Sequence, residues 1–245
     1  MKKLLYILMI TLMTYMQVSS QETPLNPLNN SADNSLIKSE NSKMTWFMIK
    51  DSIKMPIGNI ETIINKDKAK IYIVTIVNME QSSIKWIDST VVQTKNFKPI
   101  YHSSNNQQRD MVLKFGEKIS GYYLDKQTGV KTQISEEVHK PFFDSNFYPQ
   151  LIRLLPLKNG YSNTISIFDY NPKTKTGVIT ATVKNTEETT INFNGKKTEV
   201  FKVHASDDIS NNSTQSTYYI DVSTRKILKQ EIDFGGRKML MELVN

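Results

Sequence analysis

The chain of 245 residues has no cysteine. That excludes a disulfide framework, a thiol nucleophile, cysteine metal ligands and a lipid-modified cysteine, so the fold must stand on burial and hydrogen bonding. There are three histidines. Glu136-Glu137-Val138-His139 has the wrong order for the helical zinc motif, which needs histidines four apart with a glutamate beside the first. His102 and His204 fall on expected strands, opposite the apolar face, and read as surface residues. The nine glycines form neither a phosphate-binding loop nor a Gly-x-Ser-x-Gly turn. Asp207-Asp208, beside Ser206 and Ser210, lacks the oxygen spacing of a dedicated calcium loop and reads as a turn. No carboxylate pair is singled out for glycoside hydrolysis. These absences predict a protein without catalysis, cofactor or metal. A basic-aromatic nucleic-acid motif is also missing, and no apolar run reaches the ~20 residues of a membrane-spanning helix.

The first twenty residues carry Lys2 and Lys3, an apolar stretch from Leu4 to Met16, and Val18-Ser19-Ser20 ahead of Gln21. This is signal-peptide grammar and predicts export, to the periplasm or beyond the cell. The formal charge of +7 would fall to +5 with Lys2 and Lys3 removed. The lysines are scattered singly, which suits a solvated face, with attraction to an anionic lipid or glycan surface as the sharper alternative. Residues 21–43, rich in Asn and Ser with Pro24 and Pro27, read as a disordered leader.

From Met44 onward the chain reads as about a dozen strands joined mostly by short turns. A hairpin is expected around Lys66-Asp67-Lys68. Ile71 to Val77 is apolar on both alternating faces, which predicts a strand covered on both sides. Asp125-Lys126-Gln127-Thr128-Gly129 is good turn chemistry, and Asn194-Gly195 is the strongest hairpin signal, since both residues tolerate the positive φ of a type I′ turn. Trp86-Ile87-Asp88 followed by Thr94-Lys95 echoes Tyr219-Ile220-Asp221 followed by Thr224-Arg225. The echo suggests two related halves, 44–135 and 163–245, each with an aspartate capping a turn.

Between these halves lies the one helical signal, expected over residues 146–156. Between Phe147 and Leu155 only Gln150 and Arg153 are strongly polar, so this helix would be apolar nearly all round. About nine residues are too few to be stable alone, so it forms only by docking into apolar surroundings. Asn146 is placed to cap it, Pro149 fits the first turn, and Pro156 stops it.

The segment Tyr219 to Glu231, with Phe143-Asp144, Leu151 and Arg153-Leu154-Leu155-Pro156-Leu157 before it, resembles exported Bacteroidetes β-sheet proteins of unknown function and the periplasmic lipoprotein-sorting carriers. Tyr219 stands where tryptophan is commoner in that pattern. The resemblance implies a mainly β (α+β) fold, a strongly curved antiparallel meander or unclosed barrel wrapping one short helix. In those carriers the concave face receives acyl chains. Trp46, Trp86, Phe142, Phe143, Phe147, Tyr148, Leu151 and Leu154 are the candidate apolar binding residues, converging if the helix lies over the sheet. The expected function is therefore binding or carrying a lipid or acyl ligand in the cell envelope. The alternative is an interaction module that meets envelope proteins or glycans through its surface or a sheet edge.

Overall fold

The computed structural model describes residues 23–173, 175–210 and 212–244. The expected signal peptide lies outside the described residues. Among the described residues fifteen strands form a single sheet: β1 (Glu40–Lys50), β2 (Ile53–Lys66), β3 (Lys70–Met79), β4 (Trp86–Gln93), β5 (Pro99–Asn105), β6 (Arg109–Phe115), β7 (Ile119–Asp125), β8 (Lys131–Glu136), β9 (Phe143–Asp144), β10 (Asn163–Tyr170), β11 (Thr176–Phe193), β12 (Lys196–Asp207), β13 (Thr214–Asp221), β14 (Ile227–Phe234) and β15 (Arg237–Val244). Their order is β8-β7-β6-β5-β4-β3-β2-β1-β15-β14-β13-β12-β11-β10-β9. The first and last strands are thus neighbours at the centre, and a meander runs outward from each. Among the described strands all pairings are antiparallel except β9 with β10.

Four of the pairings slip by a residue, at Trp46/Phe47, Val91/Val92, Val183/Asn185 and Tyr219/Ile220. Each bulge bends its strand and adds right-handed twist, so a sheet this wide coils instead of lying flat. Gly58, opposite Trp46, marks the tightest approach at the centre. A Cβ there would lie 2.2 Å from the Asn78 carbonyl oxygen.

Coiling brings the inner face of both arms onto one core. Ile64, Ile71, Ile73 and Val92 from β2–β4 join Ile165, Ile167, Ala181, Val183, Phe201, Val203, Tyr218 and Ile220 from β10–β13. The helix α1 (Tyr148–Ile152) lies within this core. A second core shows that the arms overlap. Met111, Leu113, Ile119, Tyr123 and Ile134 of β6–β8 pack on Phe168 and Tyr170. Along β10 these two alternate with Ile165 and Ile167, so they point to the opposite side. The end of the first arm therefore wraps around the outside of the second. The strand covered on both faces is β10, buried continuously from Ile165 to Phe168. This corrects the expectation for Ile71–Val77, where Tyr72 is exposed and only Ile71, Ile73 and Val77 are buried.

Three further expectations change. Residues 23–39 are not a disordered leader: Leu25 bridges Ile165 and is buried, Ile37 is fully buried, and Lys66 Nζ donates to the carbonyl oxygens of Asn34 and Ile37. A few apolar residues in a polar stretch sufficed to order it, because the core offered them a site. Helix α1 has five residues, starting from Phe147 without a side-chain cap, while Asn146 Nδ2 instead donates to Thr90 Oγ1 at 2.8 Å. The echo is not a repeated turn. Asp221 Oδ1 accepts the backbone N–H groups of Ser223 and Thr224, but Asp88 sits inside the sheet and accepts from Trp86 Nε1.

The true likeness between the arms lies in their hairpin turns. Gln93–Lys98 and Asp221–Lys226 close with the same backbone bonds, and each places its fifth residue, Phe97 (φ 59°) and Arg225 (φ 59°), in the left-handed region. Non-glycine residues there carry strain. Both are used against the helical segment: Phe97 stacks on Phe147 with ring centroids 5.4 Å apart, and Arg225 reaches the Leu155 carbonyl oxygen and the Phe201 ring.

Candidate functional site

The residues around α1 are densely packed. Phe143, Phe147, Leu151 and Leu154 are fully buried, Tyr148 nearly so, and Phe142 packs at the edge of the second core. Of the polar stripe, Gln150 is partly buried and Arg153 fully so: Arg153 pairs with Glu40 at 2.6 Å and donates to the Arg225 carbonyl oxygen. The Tyr148 hydroxyl donates to Asp207 at 2.5 Å. Burial foremost, with Asp207 and Tyr218 adding to it, holds the Tyr148 phenol well above its ordinary pKa. The Asp207-Asp208 turn is occupied by protein groups, with Thr180 Oγ1 donating to Asp208 at 2.8 Å. Among the described residues no cluster of three or more histidine, aspartate or glutamate side chains is arranged to hold a metal ion.

Trp46 and Trp86 stand apart from that packed region, on the part of the inner face that the helix does not reach. The register places Met44, Trp46 and Met48 of β1 opposite Leu243, Met241 and Met239 of β15. On the other side they face Ile60, Gly58 and Met55 of β2, and Gly58 faces Met79 of β3. Residues directly opposite share a face. Six of the seven methionines among the described residues, Met44, Met48, Met55, Met79, Met239 and Met241, thus lie on one face of four adjacent strands. The same face runs on into the core through Ile64 and Ile73. Five of the six are only partly covered, Met48 being 40% exposed, and Trp46 Nε1 is buried without a hydrogen-bond partner. Sequence spacing alone could not reveal this face, since its methionines come from both ends of the chain.

Beside it lies a cleft of about 520 Å³ between the arms. Met79, Trp86, Arg109 and Tyr123 come from the inner face of the first arm, Asn106, Gln107 and Gln108 from the β5–β6 turn, and Asn171 and Lys173 from the β10–β11 turn. Behind the cleft is a buried polar chain. Trp86 Nε1 donates to Asp88 at 2.7 Å, and Arg109 Nε donates to Ser104 at 3.0 Å. Deeper still, His102 Nδ1 pairs with Asp144 at 2.8 Å, and Asp144 also accepts from Thr90 Oγ1 at 2.8 Å. Burial opposes the charged imidazole, but Asp144 outweighs it and leaves the His102 pKa above its ordinary value. Burial likewise pushes the Asp169 carboxyl up, against the hydrogen bond from Ser145.

His102 is 4% exposed, which corrects its reading as a surface histidine. Alternation sets it opposite the apolar face of its strand, but the first arm turns that polar face inward, where His102 pairs with Thr90 of β4. It joins β5 to β9 across the overlap of the two arms.

Among the described residues no helix is long and apolar enough to cross a membrane. A family model described as "Protein of unknown function (DUF3108)" matches residues 42–242, which takes in nearly the whole sheet. No curated protein and no solved structure matches the chain.

Proposed function

Because the chain belongs to the DUF3108 family, whose function is unknown, the chemistry of the site must carry the reading, and we propose that the protein binds an apolar chain, such as the acyl chain of a lipid, on its methionine face. The observation that carries this is the gathering of six methionines on one partly covered inner face. Methionine is unbranched and polarisable, so a surface built from it adapts to apolar ligands of differing shape. A patch spanning four strands is ~14 Å wide at ~4.8 Å per strand. It is concave and continuous with the core, as a cleft for a flexible chain should be, and a patch of this kind on a monomer marks an interaction site.

The proposed surface keeps Trp46 and Trp86 from the sequence reading and sets aside the residues packed around α1. Binding is non-catalytic: His102 is sealed beneath the cleft with its Nδ1 engaged by Asp144. The basic and apolar first twenty residues support export, so the cell envelope is the proposed place of action.

The test is titration with a fluorescent long-chain fatty acid. Wild-type protein should bind it saturably, and Met48→Glu with Met239→Glu, an opposed pair on β1 and β15, should weaken binding at least about tenfold, ~1.4 kcal/mol. Leu151→Ala should lower the melting temperature without a comparable loss of affinity. No saturable binding, or binding indifferent to the glutamates, overturns the proposal.

A further inference from the structure

The cleft beside the methionine face has a composition of its own. Resting on the apolar-chain reading, we infer that it holds a neutral, polyhydroxylated head group, so that the ligand is a sugar-bearing amphiphile with its chain on the methionines and its sugar against Trp86. Trp86 is 37% exposed, and its Nε1 is tied to Asp88. The indole is therefore held in one orientation with part of its surface free. Such a fixed aromatic surface stacks on the apolar face of a pyranose ring.

Amides surround it. Asn106 Oδ1 accepts the backbone N–H groups of Gln108 and Arg109, which fixes the β5–β6 turn, while the side-chain amides of Gln107 and Gln108 make no hydrogen bond among the described residues. Each free amide offers two donors and one acceptor, matching hydroxyls that both give and take.

The two cations that line the cleft are already engaged by protein groups. Lys173 is neutralised by Asp125 at 2.6 Å, and Arg109 is turned to Ser104, with the Asp169 carboxyl within its field. A phosphate or carboxylate reaching for Lys173 would have to displace Asp125. A sugar would not.

The test compares three probes by calorimetry: dodecyl maltoside below its micelle-forming concentration, laurate, and maltose. Dodecyl maltoside should bind about tenfold more tightly than laurate, and Trp86→Ala should remove that difference by weakening dodecyl maltoside about tenfold more than laurate. Trp86→Ala strips a donor from buried Asp88, so Gln107→Ala with Gln108→Ala, whose side chains hold nothing in the fold, provides an independent variant. Maltose binding that is lost in the same variants, with no laurate binding, would support the sugar site with a free saccharide as its source and refute the chain reading. Equal binding of dodecyl maltoside and laurate, or equal weakening of both by the variants, overturns the head-group inference and leaves the chain reading standing. No binding by any probe overturns both.

Discussion

Substituting His102 by leucine tests whether the overlap of the two arms is held by a charge pair. Asp144 is fully buried. In the variant its carboxylate would keep only Thr90 Oγ1 and the Asn146 N–H, the latter at 3.3 Å. Removing one partner of a buried pair costs ~3–5 kcal/mol, because the other charge is left uncompensated. For a domain of this size each kcal/mol moves the melting temperature by roughly 2–4 °C, so the variant should melt about 6–20 °C lower. Adding Asp144→Asn removes the stranded charge while leaving an acceptor for Thr90, and the double variant should recover ~1–3 kcal/mol. The pH dependence has a definite sign. A histidine whose folded pKa is raised contributes stability that is fully present below its unfolded value of about 6.5 and is lost as pH rises through the folded value. Thermal melts between pH 5.5 and 9 should therefore show the gap between wild type and His102→Leu narrowing with rising pH. A double variant no more stable than the single one, with a gap independent of pH, would mean that packing and not charge closes the overlap.

Leu151→Ala, at a fully buried site in the first core, should cost ~2–5 kcal/mol by chemical denaturation, as truncation in a dry core does; a cost well under 1 kcal/mol would place a ligand-sized void at the helix. Gly121→Ala would put a Cβ 1.8 Å from the Val112 carbonyl oxygen, so it should break the β6–β7 pairing and yield little folded protein, measured as soluble expression and a lost cooperative melt. Tyr148 and Tyr218 have phenols held above the ordinary value, in each case by burial first. Absorbance titration near 295 nm should leave both silent at pH 11, and the stability they contribute, present below an unfolded pKa of about 10, should be lost as pH rises beyond it. Their release together with unfolding would agree with this; early titration in the folded protein would not.

The period of two in the sequence was enough to mark most of the strands, and Asn194-Gly195 does turn with both residues at positive φ, 50° and 77°. Those features are local: side-chain alternation and turn chemistry act between residues a few positions apart. The apolar character of the segment at Phe147–Leu155 also required burial, and burial is what it has. Its length as a helix was not legible: it runs only from Tyr148 to Ile152, between Phe147, which stacks on Phe97, and Arg153, which pairs with Glu40.

Only the tertiary structure decided which polar residues are inside. His102 and Asp144 look like strand and loop residues in sequence, and they meet because the first arm coils over the outside of the second. The methionine face arises in the same way, since β1 and β15 are the first and last strands along the described chain and become central neighbours only when the sheet assembles. Alternation tells which residues share a side of one strand, but not which side the coiled sheet turns inward. That choice belongs to long-range pairing and twist, which no local pattern contains.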